Sequence, residues 1–330
     1  MPGLLLFFKS GDDHIINNYR PGLVLSIVSK ILESHVFNAF YEYLSNNKLI
    51  TCSQSGFRPK HSCETALNSL VDRWLKHIDD DKLTGVLFID LSKAFDTVNH
   101  NVLMHKLKSF GICEHSLLWF KSYLCNIKQC VGWSGILSKP RKITIDVPQG
   151  SILRPLLFIL FVLNDYPKFL THSHATIYAD DTSQDVSDKS IDTMEYKLKE
   201  DLANSMQWMK RNKLTMNLKK TQCMLIGTKQ RLAKCRKICI EINNVVLETV
   251  DVAKLLGVNI DCSLSWSYHI DVLTKKISKK LGVLRRLKSF MSSFALLKVY
   301  NSVIFPHFNY CCTIWSGAKR CIKKGQHVLF

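Results

Sequence analysis

The stretch Gly85-Val86-Leu87-Phe88-Ile89-Asp90-Leu91-Ser92-Lys93-Ala94-Phe95-Asp96 decides how the chain is read. Residues 85–91 are a short apolar run with β-branched and aromatic side chains, which predicts a buried strand. Asp90 stands at its end. A carboxylate there is costly to bury unless it is paired or binds a cation. The same demand recurs at Tyr178-Ala179-Asp180-Asp181, where an apolar run meets two adjacent carboxylates and then continues extended. Residues 176–186 therefore predict a hairpin with Asp180 and Asp181 at its tip. Adjacent carboxylates repel and raise each other's pKa until a cation neutralises them. Three carboxylates on two neighbouring strands would suit a hard cation such as Mg²⁺. Taken alone, Asp180-Asp181 reads more simply as a turn or capping pair.

Between these stretches lies Val147-Pro148-Gln149-Gly150-Ser151, which opens an apolar helix over 151–161. Glycine lets backbone approach a ligand closely, and the N–H groups of a helix start can face phosphates. The sequence is equally a good helix cap. Pro155 is tolerated if it lies in the first turn. Further helices are expected over 97–110, stopped by Gly111, and over 114–124 and 189–211. Strands are expected around a turn within 131–147, and near 214–217, 222–227, 238–242 and 255–260. Basic helices should close the chain over 268–290 and 293–305. Strands mixed irregularly with helices predict an α+β fold.

Composition narrows the partner. The 330 residues carry 45 Lys and Arg against 27 Asp and Glu, a net charge of +18. From Lys210 onward there are 23 basic and 5 acidic residues, whereas the preceding residues hold 22 of each. An excess confined to one part of a chain points to a polyanion, with a solvated basic face as the plain alternative. The longest apolar run, 152–163, is too short to span a bilayer. Residues 1–8 lack a basic n-region, so secretion is not expected. The 12 cysteines show no CxxC pair or zinc-finger spacing, which predicts reduced thiols.

In order and spacing these stretches resemble the reverse transcriptases of non-LTR retrotransposons, in particular the jockey-like group. FIDLSKAFDTVNH resembles their motif A, VPQGSILRPLLF motif B, IYADD motif C, LTMNLKKTQCMLIG motif D and LLGVNIDCSLSWSYHI motif E. NNYRPGLVLSIVSKILE and SQSGFRPKHSCETAL resemble the fingers motifs. The resemblance implies a right-hand polymerase fold. Fingers would span 1–84, with residues near 113–147 contributing. The palm, an antiparallel sheet with helices, would span mainly 85–262, and a partial helical thumb 263–330. It implies RNA-directed DNA synthesis by two Mg²⁺ ions, with Mn²⁺ as a substitute, on an RNA template, a DNA primer and dNTPs.

Residue by residue, the resemblance makes Asp90, Asp180 and Asp181 metal ligands, helped by the backbone carbonyl of Leu91. Phe95 would be the ring that rejects a ribose 2′-hydroxyl, unless it is plain core packing. Lys9 and Arg20 would hold the triphosphate, and Gln149 and Gly150 would line the nucleotide pocket. Lys220 would protonate pyrophosphate, with a solvated lysine as the alternative. Arg58 would touch template or nucleotide, or form a structural ion pair. Trp266, with His269, would neighbour the primer grip or simply pack. Lys275, Lys276, Lys279, Lys280, Arg285, Arg286 and Lys288 would track a duplex backbone.

The chain departs from the family pattern in places. Arg154 stands where motif B has glycine, and a long cation there could clash or protrude into the nucleotide site. The adjoining LFILFVLNDYP is one residue longer than usual, enough to rotate a helix face by about 100° unless a loop absorbs it. RPGLVL replaces RPISLL. An upstream endonuclease and further thumb would be missing, implying a truncated copy, and an inactive nucleic-acid-binding remnant is the alternative function. Family resemblance implies action in the nucleus, with no membrane partner. No P-loop or kinase-like glycine loop is present to support small-molecule phosphotransfer.

Overall fold

The computed structural model describes residues 3–8, 11–12, 14–15, 18–23, 25–92, 97–125, 128–133, 136–142, 147, 150–160 and 164–317. In chain order the first elements are β1 (Gly3–Phe8), β2 (Tyr19–Leu23), α1 (Ile27–Asn46), α2 (Cys63–Asp79), β3 (Leu83–Ile89), α3 (His100–Ser109) and α4 (Glu114–Leu124). Next are β4 (Lys128–Trp133), β5 (Ile136–Leu137), β6 (Arg141–Lys142), α5 (Arg154–Phe158), β7 (His174–Tyr178), β8 (Asp181–Asp188) and α6 (Ile191–Arg211). Then come β9 (Gln222–Ile226), α7 (Lys229–Lys234), β10 (Glu241–Ile242), β11 (Val245–Val246), β12 (Glu248–Thr249), β13 (Val252–Leu255) and β14 (Val258–Asp261). Helices α8 (Ser267–Leu287), α9 (Ser293–Val299), α10 (Phe305–Asn309) and α11 (Cys312–Trp315) close the described chain. The mixture is α+β, as the sequence predicts.

Two compact units form. One holds Met1–Phe57, Leu91–Thr171 and Asn204–Met216; the other holds Arg58–Asp90, His172–Ala203 and Asn217–Phe330. In the first, β1 pairs antiparallel with β2 and parallel with β4, which also pairs with β5 and β6. Ser26 caps α1 by accepting from the Ser29 N–H, satisfying one of the N-terminal donors a helix leaves open. Phe40 of α1 meets Phe120 of α4, their ring centroids 5.1 Å apart. Asn164 accepts from the Thr51 N–H and donates to the Leu49 carbonyl, holding the chain after α1. Tyr166 sets its ring edge-on to Trp208 and its hydroxyl 3.1 Å from that of Ser205.

Arg154 begins α5, with Pro155 in the first turn as expected. Its side chain is buried within this unit. The helix passes into π geometry at 159–160.

The second unit is built on an antiparallel sheet ordered β9-β3-β8-β7, extended by β12 parallel to β9. β3 is central and almost wholly buried, and its sequence is apolar apart from Thr84. On one side Leu67, Leu70, Val71 and Trp74 of α2 join Val86, Met224, Ile226 and residues of β13, β14 and α8 in one core. On the other side α6 comes so close that a Cβ on Gly85 would lie 2.6 Å from Met194 Sδ and 2.7 Å from Leu198 Cδ1. Glycine is needed there for the close approach of helix to strand. Ser62 and Thr65 cap α2 reciprocally.

Three strand expectations change, the first being 238–242, where only β10 (Glu241–Ile242) is a strand. Residues 255–260 are not one strand but the turn of the β13–β14 hairpin, with Leu255 opposite Val258. Leu256 and Gly257 both take positive φ, 45° and 80°, the backbone of a tight two-residue hairpin turn. Near 214–217 there is only an isolated bridge, Met216 to Leu91. The described cysteines are all free thiols, and no described helix is long and apolar enough to cross a membrane.

Candidate active site

The register of the second unit's sheet sets the site. In the antiparallel β3–β8 pair, Ile89 lies opposite Thr182, so one step further along the same register are Asp90 and Asp181. In β7–β8, Tyr178 lies opposite Asp181, leaving Ala179 and Asp180 as a two-residue turn. Ala179 takes φ 58°, a left-handed conformation that costs a residue with a Cβ about 1–2 kcal/mol. This strained turn presents Asp180 to solvent beside Asp181.

Asp90 is held by its backbone. Its N–H donates to Thr221 Oγ1 at 3.3 Å, and its carbonyl accepts from the Asn217 N–H at 2.8 Å. Both bonds come from the turn after α6, which also carries Lys220, exposed and one residue before Thr221. No described residue forms an ion pair with the Asp90, Asp180 or Asp181 carboxylates. Asp181 is accessible to solvent, yet enough protein surrounds its carboxyl for desolvation to be the main upward push on its pKa. The charges of Asp180 and Asp90 push the same way.

Among the described residues no three metal-ligating side chains converge on a ready-made cage. The chemistry of the set nonetheless fits a hard cation: three oxygen donors, uncompensated charge and mutual repulsion that a divalent ion would relieve.

The other sequence-predicted residues are placed unevenly. Lys9, Phe95 and Gln149 lie outside the described residues. Arg20 lies in β2 opposite Phe7 of β1. Gly150 sits in an exposed turn with φ 87°, which glycine alone adopts without strain. Leu91 is buried and bridges Met216. Arg58 is half-buried. Lys275, Lys276, Lys279, Arg285, Arg286 and Lys288 are exposed on and just after α8.

Burial or pairing bears on three more residues. Trp266 is only 6% exposed and lies in the core, which fits the packing alternative. His269 is buried too, with Nδ1 accepting from the Asn259 N–H, and burial pushes its pKa down. Both sit at the start of α8, where Asp261 accepts from the N–H groups of Ser263, Ser265 and Trp266 and from both serine hydroxyls. Lys280 donates to the Val303 carbonyl and lies 2.6 Å from His307 Nε2, tying α8 to the segment after α9.

Sequence reasoning missed a residue that supports the hairpin. Arg73 of α2 makes a two-pronged contact with Asp185 of β8, Nη2 to Oδ1 at 2.6 Å and Nε to Oδ2 at 3.0 Å. Nη2 also donates to Thr176 Oγ1 on β7. One guanidinium thus clamps both strands that carry the acidic turn. The partners are 112 positions apart, so no local pattern marked the pair.

Comparison with known proteins now bears on this geometry. The chain is 30% identical to "Probable RNA-directed DNA polymerase from transposon BS" of Drosophila melanogaster, over 97% of this chain and 36% of that protein. It is 27% identical to "RNA-directed DNA polymerase from mobile element jockey" of the same species, over 96% and 35%. The chain thus spans about a third of the length of the curated relatives it matches. Among solved structures, apo telomerase from Candida tropicalis aligns with a TM-score of 0.48 at 15% identity, over 74% of this chain and 45% of that one. The model of the family described as "Reverse transcriptase (RNA-dependent DNA polymerase)" matches residues 9–260. The chain belongs to the reverse transcriptase family, with the jockey-type elements of non-LTR retrotransposons among its relatives and the α+β, right-hand polymerase fold class that goes with it.

Proposed function

We propose that this chain catalyses RNA-directed DNA synthesis, joining a dNTP to a primer 3′-hydroxyl on an RNA template. One observation carries the reading: Asp90 and Asp181 are successive to a paired register position, with Asp180 at the adjoining turn and no described cation compensating them. Asp90, Asp180 and Asp181, with the Leu91 carbonyl, would hold two Mg²⁺ ions, Mn²⁺ being a substitute. An ion held there would supply positive charge that eases ionisation of the attacking hydroxyl and offsets charge on the departing pyrophosphate.

The chain's own residues position the reactants and move protons. Lys220, exposed on the turn that holds Asp90, donates a proton to pyrophosphate as it leaves. Lys9 and Arg20 hold the triphosphate, Gln149 and Gly150 line its pocket, and Phe95 excludes the 2′-hydroxyl. Arg58 and the exposed cations of α8 hold nucleic acid through its phosphates, a contact that weakens with salt. Fingers would take 1–84 with residues near 113–147 contributing, the palm mainly 85–262 and a partial thumb 263–330, and the reaction would take place in the nucleus.

Primer extension on an RNA template with Mg²⁺ tests the reading. Incorporation is expected, and Asp180→Asn should abolish it while leaving the fold intact. Incorporation indifferent to Asp180→Asn would overturn the assignment. A second reading, nucleic-acid binding without synthesis, rests on Arg154 in place of the family's glycine. It predicts salt-sensitive duplex binding with no extension, and recovery of synthesis in Arg154→Gly.

A further inference from the structure

Glu33 closes the NNYRPGLVLSIVSKILE stretch, and the polymerase reading gives its buried carboxylate no role. It lies on α1 at 4% exposure. Its Oε2 accepts from the Ile152 N–H at 2.7 Å, and its Oε1 accepts from the Tyr123 hydroxyl of α4 at 3.1 Å. The Tyr123 and Ser151 hydroxyl oxygens are 2.5 Å apart, and Ser151 Oγ accepts from the Leu153 N–H at 3.1 Å. All these residues belong to one compact unit.

The chemistry gives this chain of bonds a direction. The Tyr123 hydroxyl donates to the Glu33 carboxylate. Burial raises the Tyr123 pKa, with Glu33's charge adding to it, so the hydroxyl keeps its proton. Ser151 must then donate to Tyr123, leaving its lone pair for the Leu153 N–H. Two routes, one direct through Ile152 and one through Tyr123 and Ser151, end on the same carboxylate. They fasten the three residues after Gly150 and its φ of 87°.

We propose that Glu33 is a positioning residue that sets the Gly150–Ser151–Ile152 turn, and through it the nucleotide pocket. The pocket's part in this statement rests on the polymerase reading above. The fastening of the turn does not.

Glu33→Ala removes both routes. Glu33→Gln keeps the shape, because its carbonyl can accept from Ile152 while its amide donates to Tyr123, which then donates to Ser151. Hydrogen bonds to a charged group contribute about 1.5–3 kcal/mol, so loss of the fastening should raise the KM for dNTP about tenfold or more. In steady-state extension, Glu33→Ala should raise KM far more than it lowers kcat. Glu33→Gln should restore most of the loss, and Tyr123→Phe should fall between.

Hydrogen exchange at the Ile152 and Leu153 amides gives a second reading that needs no activity. Exchange should quicken there in Glu33→Ala, beyond any change at amides of α1 and α4, and return in Glu33→Gln. Unchanged local exchange, or a uniform rise across the unit, overturns the positioning role. Unchanged KM with altered exchange overturns the link to the pocket. If the unaltered protein extends no primer, the polymerase reading fails, and the exchange data still decide whether Glu33 holds the turn.

Discussion

Asp181 and Asp185 sit four residues apart on β8, on the same face of the same strand, and meet opposite fates. Asp185 is fully buried and gripped by the two-pronged Arg73. Asp181 lies at the strand's open end, near Asp90 and Asp180, with no described cation against it. A charge whose partner is built in serves the fold. A charge left uncompensated beside two others, in a turn that also stores backbone strain, serves something that arrives from outside.

That contrast can be broken first at the buried end. Arg73→Ala leaves Asp185 charged and unpaired inside the protein, a loss expected to reach about 3–5 kcal/mol in urea unfolding. Because Thr176 also loses its donor, β7 and β8 should loosen together. The double change Arg73→Met with Asp185→Leu should recover most of the stability, since replacing both charges removes the desolvation cost along with the pair. A single change that costs less than about 1 kcal/mol would mean the clamp is a solvated surface contact instead.

The turn itself offers a smaller test. Ala179→Gly should relieve the left-handed strain and, after the added freedom of the unfolded chain, stabilise the protein by about 0.5–1 kcal/mol. A loss of stability would show that the Ala179 methyl packs usefully. Extension should fall at the same time, because a glycine turn holds Asp180 less firmly.

The smallest effect is a slope with pH. Asp181 has a raised pKa when folded, so the folded protein binds its proton more tightly than the unfolded chain does. Its contribution to stability is therefore lost as pH rises from the ordinary aspartate range through the raised value. Unfolding of the metal-free protein, compared with Asp181→Asn across that window, should show the variant gaining relative stability as pH rises. Added Mg²⁺ should raise the melting temperature of the unaltered protein and do so less for the variant. Parallel pH curves would remove Asp181 from the cluster.

Much of the site is legible in the residues alone. The strand up to Asp90, the hairpin before Asp180-Asp181, Pro155 in its first turn and helix α4 with both its ends all come from local chemistry. Apolar periodicity, glycine, proline and turn residues act over a few positions and leave their mark in order. The errors have equally local causes. Leu255 to Ile260 looks like one apolar run because the turn inside it is made by Leu256 and Gly257, and a leucine at φ 45° carries no turn signature. For Trp266 and His269 the residues leave two readings open, primer-grip neighbour or packing, and burial favours packing.

The chain's residues and their order were enough to establish the family, the acidic cluster and the concentration of positive charge after Lys210. These depend on residue type and local spacing. Which charges are satisfied depended on tertiary structure alone. Arg73 finds Asp185 across 112 residues, Tyr123 reaches Glu33 across 90, and Lys280 turns to Val303 and His307 instead of outward. A side chain's electrostatic role is set by what the fold brings within hydrogen-bond reach and by how much water the fold removes. Neither is written in the neighbouring sequence.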